Sequence, residues 1–78
     1  MKYKLEILTH TYGDATIFYE DRVVSKNSED KNIGSTDAYN ALKSISESLF
    51  NKVADGDSVF FLTKKQLTIF FSRLKIVL

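Results

Sequence analysis

Residues 58–74 read SVFFLTKKQLTIFFSRL, and a change of period inside this stretch decides the fold. Residues 58–62 are a short apolar run rich in β-branched and aromatic side chains, bounded upstream by Asp55-Gly56-Asp57. Such a run reads as a strand covered on both faces, hence one expected at the centre of a sheet. Thr63 with Gln66 three positions later is the signature of a capping box, the reciprocal bonding that opens a helix. Leu67, Phe70, Phe71 and Leu74 then recur at i, i+3, i+4 and i+7, the spacing of a helical stripe. The segment is a strand that passes through a capped turn into a helix.

Working upstream, Ala38, Ala41, Leu42, Ile45, Leu49 and Val53 also share one helical face. Ser35 or Thr36 is expected to cap this helix, Asp37 suits its first turn, and Gly56 follows its end. Residues 25–35 (SKNSEDKNIGS) are polar and read as a surface loop. Further upstream, Tyr3, Leu5 and Ile7 alternate with Lys2, Lys4 and Glu6, the period of a half-buried strand. A turn over residues 10–14, a second strand over residues 15–20 (ATIFYE), a reversal at Asp21-Arg22 and a short third strand from Val23 complete an antiparallel meander. The predicted order is β-β-β-α-β-α, an α+β domain with a small mixed sheet and two helices, a single domain over residues 1–78.

This order resembles the ribonuclease H family. The likeness rests on the meander from Lys2 to about Asn27, on Gly34-Ser35-Thr36-Asp37-Ala38 leading into the helix, and on Asp55-Gly56-Asp57-Ser58 leading into the apolar strand with a helix opening at Thr63-Lys64. It covers most of this chain but only the first part of a full-length family member. The resemblance implies acidic side chains that hold two magnesium ions. At the matching positions stand Thr9 or His10, then Tyr39, Asn40 or Ala41, then Thr63 or Lys64, and none is a carboxylate. Glu6 and Asp37 reach the first two positions only by a shift of register. The resemblance therefore implies the fold without the nuclease.

Composition narrows the remaining chemistry. In 78 residues there is no cysteine and one histidine, so neither disulfides nor a Cys/His zinc site can staple the fold. A chain of this size buries only about 60% of its unfolded surface, and 44% apolar content is its main resource. Eleven basic and ten acidic residues leave a formal charge of +1, far from the strong excess typical of nucleic-acid binders. No apolar run follows Met1 as in a signal peptide, and none reaches the roughly 20 residues of a membrane span. The cytoplasm is the expected compartment, with no cofactor and no membrane partner. His10 lacks an identifiable catalytic partner, the adjacent acids Glu20-Asp21 and Glu29-Asp30 point apart in extended chain, and Asp55-Gly56-Asp57 is explained by turn chemistry. No catalytic residue and no metal ligand is predicted.

Two surfaces remain as candidates. Lys64 and Lys65 open a helix, where free N–H groups and two ammonium heads suit an anion, and His10 is expected at the same end of the sheet. The consecutive Ile69, Phe70 and Phe71, widened by Ile76, Val77 and Leu78, spread apolar groups around a broad arc of the last helix. Ile69, Phe70, Ile76 and Leu78 are accordingly expected to form an exposed strip that binds another protein or a second copy. The predicted function is a non-catalytic protein-binding module (adaptor, inhibitor or subunit); the alternative is a nucleic-acid or nucleotide-binding module built on the lysine pair.

Overall fold

The computed structural model describes residues 1–78. Strand β1 (Tyr3–Thr9) turns into β2 (Asp14–Tyr19), pairing Leu5 with Tyr19 and Ile7 with Ile17. That register places Leu5, Ile7, Ala15 and Ile17 on one buried face and Lys4, Glu6, Leu8 and Phe18 on the other. Gly13, at φ +102, supplies the positive dihedral that closes the connecting turn. Strand β3 (Arg22–Val23) follows a two-residue reversal, Glu20-Asp21, in which both residues have positive φ. This is the type I′ geometry whose twist matches that of a hairpin.

The polar segment expected to be a loop proves to be an interruption within one edge. After Val24 the chain leaves β2, turns through residues 25–32, and returns as β4 (Ile33–Gly34), which pairs with Asp14 and Ala15. The Asn27 side chain accepts hydrogen bonds from the backbone N–H groups of Glu29 and Lys31 and so holds the excursion in shape. The Ser28 N–H donates to the Lys75 carbonyl at 2.8 Å, anchoring the excursion to the end of the last helix.

Helix α1 (Ser35–Ile45) has Gly34 as its N-cap and no side-chain cap; the Ser35 hydroxyl donates instead to the Asp14 carbonyl. The single helix expected to reach Val53 is divided at Ser46, whose extended backbone ends α1 and whose hydroxyl caps α2 (Glu47–Ala54) by accepting from the Ser48 N–H. Serine offers the backbone a local partner outside the helical ladder, which is why the break falls there. Strand β5 (Val59–Leu62) then leads through Thr63 into α3 (Lys64–Leu74). The predicted capping box is present in both directions, with Thr63 Oγ1 accepting from the Gln66 N–H and the Thr63 N–H donating to Gln66 Oε1.

The α+β class is that expected and the element order roughly so, with β4 added and the first of two expected helices divided to give three; the sheet differs in two further details. The sheet has five strands in the order β3-β2-β1-β5, with β4 also on β2, and every pairing is antiparallel where a mixed sheet was anticipated. Strand β5 lies at an edge and not at the centre: Phe60 and Leu62 are buried, while Val59 and Phe61 face solvent. Leu67, Phe70, Phe71 and Leu74 of α3 join Ala38, Ala41 and Leu42 of α1 over the inner sheet face in one apolar core with no buried polar side chain. The helices cover one face of the sheet only. No helix is long and apolar enough to cross a membrane.

Candidate functional site

The bare sheet face is the most distinctive surface of the molecule. Cross-strand pairing sets Val23 beside Phe18, Phe18 beside Glu6, Glu6 beside Val59, and Lys4 beside Phe61. Leu8 lies on the same face, opposite Thr16. Val23 is 61% exposed and Phe61 58% exposed, while Leu8, Val59 and Phe18 are partly buried. Apolar side chains thus stand toward both edges of this face, with the charged Lys4 and Glu6 of β1 between them. Period-two alternation accounts for this: the residues that the core does not take are turned outward, and these include Phe18 of β2 and both outward residues of β5, Val59 and Phe61.

The β5 edge adds main-chain groups to that surface. The Ile7 N–H donates to the Ser58 carbonyl, and Leu5 and Tyr3 stand opposite Phe60 and Leu62. In an antiparallel ladder this register turns the N–H and C=O groups of Ser58, Phe60 and Leu62 toward β1 and those of Val59 and Phe61 outward. No other strand pairs with β5, so Val59 and Phe61 present both side chain and backbone to solvent.

Lys64 and Lys65 open α3 as expected, but His10 does not join them. Because β5 runs antiparallel to β1, Leu62 stands opposite Tyr3, which puts Lys64 and Lys65 beside the start of β1. His10 follows the other end of β1, a strand length of roughly 20 Å away. There its Nε2 is 2.6 Å from Thr16 Oγ1 and its ring stacks on Tyr12. Glu6 and Asp37 are likewise apart, Glu6 on the bare face and Asp37 on a helix that packs against the other. No three His, Asp or Glu side chains converge.

The expected helical strip is mostly internal. Phe70 is fully buried and Ile76 nearly so, which corrects their assignment to an exposed interface; Ile69 is half-exposed and Leu78 exposed. Lys75 adopts the left-handed conformation, and the N–H groups of Ile76 and Lys75 donate to the carbonyls of Phe71 and Ser72. This is a Schellman closure, and it folds Ile76 back beneath the helix. Phe71 is covered partly by an edge contact with Tyr19. The residues that sequence reasoning missed are Phe18, Val23, Val59 and Phe61. That one of the adjacent Phe60 and Phe61 must be exposed follows only once the helices are known to cover a single face, and no local signal marks Phe18 or Val23.

The largest concavity, about 360 Å³, lies elsewhere, between the residue 25–32 excursion, α1 and the end of α3. Its walls carry charges of both signs, Glu29 and Asp37 with Arg73 and Lys75, and no enclosed polar group. In comparisons with known proteins, no family model, curated protein or solved structure matches this chain.

Proposed function

We propose that this domain is a non-catalytic protein-binding module, an adaptor, inhibitor or small subunit, whose contact surface is the bare sheet face together with the β5 edge. One observation carries the reading: Val59 and Phe61 expose apolar side chains and unpaired main-chain groups at the same place. Exposed apolar side chains gain from desolvation by about 25 cal/mol per Å² buried, and an open edge supplies directional bonds that fix a partner's register. The binding surface therefore moves from the last helix, where sequence periodicity placed it, to the opposite side of the domain. The nucleic-acid alternative keeps Lys64 and Lys65 at the start of α3 but loses His10, which lies at the other end of β1, and the near-neutral charge does not favour it.

The test is a comparison of the wild type with Phe61→Ser as bait in affinity capture from the native host. A partner retained by the wild type and lost with Phe61→Ser, with both baits giving the same circular dichroism, is the expected result. Identical capture by the two baits would sink the reading.

A further inference from the structure

We infer that the occupant of the β5 edge is the β5 edge of a second copy, paired antiparallel about a two-fold axis at Phe60 so that two sheets become one. This rests on the reading of that edge as a binding surface and names what binds there. The outward main-chain groups belong to Val59 and Phe61, and an antiparallel ladder bonds outward residues only to outward residues. Among the registers that satisfy this, the one centred on Phe60 sets Val59 of one copy against Phe61 of the other and the reverse, a closed, isologous contact that engages both outward residues of each strand. It also brings the two exposed side chains of each copy together on the bare face, an aromatic beside a β-branched residue, a favourable cross-strand pair.

Charge selects the same arrangement. Strand β5 carries no charged residue, but Asp55 and Asp57 precede it and Lys64 and Lys65 follow it. Antiparallel pairing about Phe60 brings the acidic end of each strand, at Asp57, toward the basic end of the other, at Lys64. Parallel pairing would set like charges together, which costs stability. The other edge offers no equivalent, being two short pieces with Arg22 and Lys26 among them and the residue 25–32 excursion between. Strand β5 has none of the devices that usually blunt an edge: no proline, no lysine within it and no bulge.

Sedimentation equilibrium of the full chain, from about 10 µM to about 1 mM, tests the inference. The expected result is a concentration-dependent monomer–dimer equilibrium, because a four-residue edge buries less than a permanent interface. Phe61→Pro removes one outward N–H and leaves the β1 ladder intact, and it should weaken association at least about 10-fold, or about 1.4 kcal/mol. A second pair of variants guards against misfolding. Lys64→Asp/Lys65→Asp places anions at a helix N-terminus, and Asp55→Lys/Asp57→Lys places cations past a helix C-terminus, so both sets suit the helix dipoles. Each alone should self-associate more weakly than the wild type, and an equimolar mixture should recover the dimer as a heterodimer.

A wild type that stays monomeric throughout, or a dimer indifferent to both Phe61→Pro and the charge exchanges, overturns self-pairing. If that monomer still captures a partner through Phe61, the protein-binding reading stands without self-pairing. If it captures nothing that depends on Phe61, both fall.

Discussion

The two edges of this sheet solve the same problem in opposite ways. On the β3–β4 side, the chain leaves the ladder after Val24 and returns only at Ile33. The gap is managed by side chains: Ile17, which is fully buried, donates its N–H to the Ser25 hydroxyl at 3.1 Å and accepts from the Val24 N–H. The Ser28 bond to Lys75 then ties the excursion to α3. On the β5 side the strand is continuous, uncharged and apolar on its outer face, and nothing covers it. An edge that is broken and pinned resists addition of another strand, whereas a straight, greasy edge invites it. That contrast is the reason the proposed binding surface is placed on the β5 edge.

The strongest way to break this comparison lies within β5 itself. Phe60 is buried and Phe61 faces solvent, although they are adjacent and chemically identical. Phe60→Ala should cost about 3–5 kcal/mol through lost burial and the cavity left behind. For a domain whose whole stability is on the order of 4–12 kcal/mol, that is enough to leave much of the population unfolded. Phe61→Ala, measured at a concentration where the chain is monomeric, should change stability by no more than about 0.5 kcal/mol. Urea titration of the two variants distinguishes them, and equal losses would mean that β5 is covered on both faces.

Next in size is the plug on the guarded side. Ser25→Ala leaves the Ile17 N–H buried without its acceptor, a cost of about 1–3 kcal/mol. Hydrogen exchange should show the Ile17 amide losing protection more than its β1–β2 neighbours, and an unchanged rate would mean that water replaces the hydroxyl. Of comparable size but opposite sign is Lys75→Gly. Lys75 holds the left-handed C′ position of the Schellman closure at φ +57, a position glycine occupies without steric cost. The change should raise stability by about 1 kcal/mol, read as a higher urea midpoint at constant slope.

What could be read from the sequence was whatever depends on neighbours along the chain. The alternation of Lys4, Leu5, Glu6 and Ile7, the Thr63–Gln66 capping box and the Leu67–Phe70–Phe71–Leu74 stripe each declare a local period, and each is in place. What failed depends on long-range pairing. Residues 59–62 read VFFL whether one face or both is covered, because an apolar run carries no period to separate the two cases. Only the pairing of Leu62 with Tyr3 fixes which end of the sheet receives Lys64, and so separates the lysines from His10. The division at Ser46 was hidden for a related reason: Ile45, Leu49 and Val53 keep helical spacing across it, so the apolar pattern runs on while the backbone does not. Phe70 and Ile76 were misplaced because the arc of α3 that can be buried depends on α1, Tyr19 and the Schellman closure together.

The smallest effect tests the turn that begins the guarded edge. Glu20 and Asp21 both occupy left-handed backbone, at φ +48 and +65, where Asn-Gly would be the favoured pair. Their side chains offset part of the strain unequally. Glu20 Oε1 accepts from the Lys4 N–H at 3.0 Å, whereas Asp21 makes only an ion pair with Lys4 at 3.3 Å, with the aspartate side chain 81% exposed. An exposed pair of that kind contributes roughly 0–1 kcal/mol. Asp21→Gly should therefore gain a net of about 0.5 kcal/mol, raising Tm by about 2–4 °C in a domain of this size. Glu20→Asn relieves similar strain but removes the bond to Lys4, so its Tm should stay within about 2 °C of the wild type. If Glu20→Asn were the more stabilising of the two, the Lys4 bond would be contributing nothing, and the turn would be held by the β2–β3 ladder alone.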